Sequence, residues 1–138
     1  MTVTITSRTR TTLTILSLLA ATALLLGCGG INLKFGWRSS GGANRKRASY
    51  VSFDGVESRT FRAEPGRTIE LASEVTVEKG TLRVELIAPD GETLWSETFR
   101  EDRHAFATVT AREPGLYIVR IEGRETGGGF DVSWTVRG

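Results

Sequence analysis

The chain has 138 residues, 39% of them hydrophobic and 25% charged, with a formal charge of +2; this is the balance of a globular protein with room for one domain. Five basic residues lie between Cys28 and Ser49 without an acid, whereas Tyr50–Gly138 carries 11 basic against 16 acidic residues. A folded part without a basic face excludes nucleic acid as the partner, and a single cysteine excludes an internal disulfide.

Residues 1–12 are polar and carry Arg8 and Arg10 without an acid. Residues 13–26, LTILSLLAATALLL, form an apolar run of 14 residues. That is too short for the roughly 20 residues of a spanning helix, and it predicts a cleaved export signal over residues 1–27. The run ends in Leu25-Leu26-Gly27-Cys28, which resembles the lipobox of bacterial lipoproteins: an apolar residue, then a small residue, then cysteine. The resemblance implies cleavage between Gly27 and Cys28 and covalent diacylglyceryl and N-acyl lipid on Cys28. It also implies a membrane-anchored position on the extracytoplasmic side of a bacterial envelope. Several acyl chains anchor stably where one binds only marginally.

Residues 28–49 read as a lipidated, basic tether. Gly29, Gly30, Gly36, Ser39, Ser40, Gly41 and Gly42 break any period, which predicts a flexible stem. Within it Ile31, Leu33, Phe35 and Trp37 alternate with polar residues and glycine. One reading is an interfacial segment, with Phe35 and Trp37 at headgroup depth and Lys34 and Arg38 near phosphates; the other is an edge strand of the domain. Arg45-Lys46-Arg47 reads either as a contact with anionic lipid, at about 1 kcal/mol per charge, or as a solvated run.

From Tyr50 to Gly138 the period is two. Leu82, Val84 and Leu86 alternate with Arg83 and Glu85; Tyr117, Val119 and Ile121 with Ile118 and Arg120; Phe130, Val132, Trp134 and Val136 with Asp131, Ser133 and Thr135. This alternation marks half-buried strands. Weaker runs occupy residues 50–53, 59–63, 67–77, 92–99 and 105–111. Turn signals separate them at Asp54-Gly55, Pro65-Gly66, Lys79-Gly80, Pro89-Asp90-Gly91, Pro114-Gly115 and Gly127-Gly128-Gly129. The expectation is an all-β fold, an antiparallel jelly-roll-like sandwich of about eight short strands. Its predicted core is Phe53, Ile69, Leu71, Val75, Val77, Leu82, Val84, Leu86, Tyr117, Val119, Ile121, Phe130, Val132 and Trp134.

The order Gly80-x-Leu82-x-Val84-x-Leu86-x-x-Pro89-Asp90-Gly91, then Gly115-x-Tyr117-x-Val119-x-Ile121-x-Gly123, then Phe130-x-Val132-x-Trp134 resembles the GOLD-like β-sandwich. The bacterial pre-peptidase C-terminal domain is similar. The resemblance implies an interaction or accessory module and supplies no functional residue, because the matched positions are core and turn positions.

No catalytic set or cofactor site emerges. His104, the sole histidine, stands between Arg103 and Ala105 with no nucleophile elbow in the chain. Asp90 with Glu92, and Glu101 with Asp102, are acidic pairs too small for a metal loop. Trp95, beside Leu94, is the aromatic expected to reach a ligand. The functional expectation is a non-enzymatic, membrane-anchored module that meets an envelope protein partner; the alternative is a glycan- or cell-wall-binding module.

Overall fold

The computed structural model describes residues Gly30–Gly138. The export signal, Gly27 and Cys28 lie outside the described residues. Seven antiparallel strands make up the fold: β1 (Leu33–Phe35), β2 (Arg38–Gly42), β3 (Arg45–Ala63), β4 (Thr68–Ile87), β5 (Thr93–Phe99), β6 (Arg103–Thr110) and β7 (Gly115–Arg137). The described residues are all-β. The order is β1-β3-β7-β4-β5, with β2 also on β3 and β6 also on β4.

Three of these strands are too long to lie flat. Phe61 pairs in register with Tyr117, yet its ring stacks on Trp134 at 5.8 Å. Seventeen residues of straight strand would separate Tyr117 from Trp134 by about 56 Å. β3, β4 and β7 therefore bend, and each contributes one half to either layer. The first layer holds the end of β3 (55–63), the start of β7 (115–124), the end of β4 (81–87) and β5. The second holds β2, the start of β3 (45–50), the end of β7 (128–137), the start of β4 (68–77) and β6. The sandwich is a folded sheet, and the short runs of the sequence are halves of long strands.

The fold line accounts for three of the turn signals. Asp54-Gly55, Lys79-Gly80 and Gly127–Gly129 are not loops; at or beside each, a long strand shifts register and bends. Gly128 has φ +126°, and a Cβ there would stand 2.1 Å from the Thr76 carbonyl oxygen. Only glycine permits both that conformation and that approach of neighbouring backbone. Pro65-Gly66, Pro89–Gly91 and Pro114-Gly115 are the true turns or lead into the next strand, since proline cannot donate to a ladder.

The core fills the space between the layers. All the predicted core residues are buried except Val77, which is half-buried against the core. Ala48, Tyr50, Phe61, Ala63 and Phe99 join them. The Tyr117 hydroxyl donates to the Glu113 carbonyl at 2.8 Å, which ties the turn before β7 to the core. Burial pushes the Tyr50 phenol up to about 12, so it stays neutral.

Residues 31–49 depart from the flexible-stem expectation. The compact unit begins at Ile31, not Tyr50. β1 pairs with Ser52–Asp54, and β2 forms a hairpin with Arg45–Ser49. The physical reason is burial: Trp37 packs at 5.5 Å on Tyr50 and 5.1 Å on Phe53. That contact holds a glycine- and serine-rich segment that has little strand propensity of its own.

Candidate functional site

Alternation along a strand sends neighbouring residues to opposite faces, and this divides the basic cluster. Lys46 turns inward, is 8% exposed, and meets Glu57 of the other layer at 3.3 Å. Lys34, also bonded to Glu57, sits over the Trp37 ring at 4.6 Å. Burial alone would raise the Glu57 carboxyl, but hydrogen bonds from Lys34 and Lys46 outweigh it and hold the group below its ordinary value.

Arg45 and Arg47 turn outward onto the second layer, where both reach Asp131. The Arg45 guanidinium is bidentate, its Nε donating to Oδ1 at 2.7 Å and its second nitrogen to Oδ2. The Arg47 Nε donates to Oδ2 at 2.8 Å. This fork-on-fork geometry holds the Asp131 carboxyl below the usual carboxylate range, chiefly through Arg45.

The registers extend this pair into rows across five strands. One row runs Ser40, Arg47, Asp131, Glu74, His104; the next runs Gly42, Arg45, Ser133, Ala72, Phe106. Small residues in the second row leave a trough. Its widest part, about 410 Å³, opens between Arg38, Arg47, Glu74 and Asp131 over a floor that includes Gly129. Hollows of about 170 and 280 Å³ continue it past His104 to Phe106 and Thr108. Phe106 is 77% exposed in the middle of β6.

The outer face of the first layer is different. There Arg83, Arg120 and Arg124 are paired with Glu85 and Glu122, which leaves a self-satisfied charge ladder. Among the described residues no group of three or more His, Cys, Asp or Glu is placed to hold a metal ion.

Of the residues singled out from sequence, the structure brings Arg38, Arg45 and Arg47 to the trough. It directs Lys34 and Lys46 to Glu57, packs Trp37 against the core and leaves Phe35 exposed. Trp95 lies on edge strand β5, opposite buried Leu86, half-buried against the core and outside the trough. Phe106, Glu74 and Asp131 were not anticipated. The available signal was an inverted alternation in β6, with small Ala105, Ala107 and Val109 inside and a large aromatic outside.

No protein-family model and no curated protein matches the chain. Solved structures do. The fold is similar to a pre-peptidase C-terminal domain. That domain belongs to a collagenase from Bacillus anthracis; it is 18% identical with a TM-score of 0.53, covering 67% of this chain and 89% of that one. A carbohydrate-binding module of Cellvibrio mixtus lichenase 5A in complex with cellotriose also matches, at 15% identity and a TM-score of 0.42 over 76% and 87% of the two chains. The first likeness bears out the β-sandwich expectation and speaks to fold alone.

Proposed function

We propose that this protein is a membrane-anchored, non-enzymatic binding module that takes a glycan in the trough of its second layer. The observation that carries the reading is Phe106, an aromatic ring held open to solvent mid-strand beside a row of planar hydrogen-bonding groups. A sugar ring offers an apolar face for such a ring to stack on, and hydroxyls at its rim. Asp131, Glu74 and the two guanidiniums supply acceptors and donors for those hydroxyls. Asp131 is a poor proton donor at neutral pH because Arg45 and Arg47 stabilise its charged form, which supports binding over general acid chemistry. Anchoring rests on the resemblance of Leu25-Leu26-Gly27-Cys28 to the lipobox; a Cys28→Ser protein that partitions and matures as wild type would remove it.

The test of the glycan reading is titration of the detergent-solubilised full chain with peptidoglycan fragments and a panel of neutral and acidic polysaccharides. Phe106→Ala lowers affinity for the bound member at least tenfold, about 1.4 kcal/mol, with the melting temperature unchanged. Binding by no member of the panel, or equal binding by wild type and Phe106→Ala, overturns it.

A further inference from the structure

β1 has two unlike faces. Lys34 points toward Trp37 and Glu57, whereas Ile31, Leu33 and Phe35 are 74, 60 and 70% exposed on the other side. Val51 and Val56 of β3 flank them at 56 and 37% exposed. The Asn32 amide fastens the start of β1 by donating to the Val56 carbonyl at 3.0 Å. Single exposed apolar residues are ordinary on a surface; here four on two neighbouring strands, with Ile31 just before them, gather into a patch.

Chain connectivity says what covers them. Cys28 stands three residues before Ile31, and three extended residues reach about 10 Å. The headgroup layer on each side of a bilayer is roughly 5–8 Å deep. Only Gly29 and Gly30 separate Cys28 from Ile31, so an acylated Cys28 would hold the first strand at the lipid surface.

We infer that the outer face of β1, with Val51 and Val56, docks on the membrane surface at headgroup depth and so fixes how the domain stands on the bilayer. The inference rests on acylation of Cys28. Polar neighbours limit the depth: Asp54 lies cross-strand from Leu33, and Ser52 from Phe35, and cross-strand partners share a face. A second copy fits less well. A stable dimer covers about 800 Å² per partner, more than five side chains supply when two are already about half covered.

The experiment uses the full chain carrying Leu33→Cys, in vesicles of phosphatidylethanolamine and phosphatidylglycerol. Acylation blocks Cys28, the sole native cysteine, so a polarity-sensitive fluorophore enters at residue 33 alone. The control places it at Arg62→Cys, about 27 Å farther along β3 than Asp54. Docking is read as a blue shift at residue 33 and quenching by shallow spin-labelled lipid at least threefold stronger than at residue 62. Phe35→Ser added to Leu33→Cys weakens that quenching without changing the melting temperature. Equal quenching at both positions, with acyl mass present on Cys28, overturns the docking and leaves the anchor standing. Absence of acyl mass on Cys28 overturns the anchor and the docking with it. A blue shift that appears without lipid and grows with protein concentration assigns the face to a second copy and overturns the inference.

Discussion

Glu57 and Lys46 face each other from opposite layers, and few residues here have so much depending on one neighbour. Lys46 is nearly covered, so removing the carboxylate leaves a buried ammonium with no equal partner; breaking such a pair costs about 3 kcal/mol. Gly128 is constrained by geometry rather than charge. Its φ of +126° and the 2.1 Å approach of the Thr76 oxygen to any Cβ force β7 to shift if a side chain is added. Gly128→Ala should destabilise the domain by about 3 kcal/mol and lower the melting temperature by roughly 10 °C or more, as thermal unfolding by circular dichroism would report. Gly66→Ala is the contrast, because nothing lies within 4 Å of a Cβ there; its φ of +83° leaves only the backbone cost of about 1–2 kcal/mol.

Among the elements, β3 shows how far local pattern goes. Its second half reads as one of the weaker strand runs, but its first half, Arg45–Ser49, looks like a charge run until the alternation is placed against β7. Arg45, Arg47 and Ser49 then face out, while Lys46 and Ala48 face in. The three prolines make three of the turns legible, whereas those at Ala43-Asn44 and Arg100–Asp102 carry no proline. Glycine signals without proline misled, because a bend that keeps its hydrogen-bond ladder and a turn that abandons it use the same residue. β1 was legible only as one of two readings and β2 not as a strand at all, since Trp37, between them, holds both by packing on Tyr50, a contact made between separate segments. A chain cut at Tyr50 would lose Lys46 and Ala48 from the interior and bare one side of the β7 end. It should lack a cooperative thermal transition, whereas one beginning at Gly30 should melt as a single unit. A sharp transition in the shorter chain would show that β1 and β2 are ornaments.

For the molecule as a whole, acid should be the sensitive direction. The Glu57 and Asp131 carboxyls both titrate below their ordinary values of 4.5 and 3.8. A lowered folded-state value adds stability that is complete above about pH 5 and is lost as pH falls through the lowered range. Urea unfolding at pH 7 and pH 3 should therefore show a loss in the wild type that is smaller in Glu57→Gln and Asp131→Asn together. An equal loss would place the acid sensitivity elsewhere. The trough was only partly legible for a related reason. That Asp131 faces outward follows from the parity of Phe130 and Val132, but its meeting with Arg45 spans 86 residues and follows from strand order alone.

The continuity of β3, β4 and β7 through both layers bears on recognition itself. A sandwich joined only by loops can splay its sheets to admit a guest. Here three continuous strands, paired in two ladders, cross the fold line, so the surface bearing Phe106 is set before anything arrives. A ligand meeting a preorganised surface loses its own freedom but orders little of the protein. Selectivity would then reside in the side chains along the rim, and exchanging them could retune what is held without touching how the domain folds.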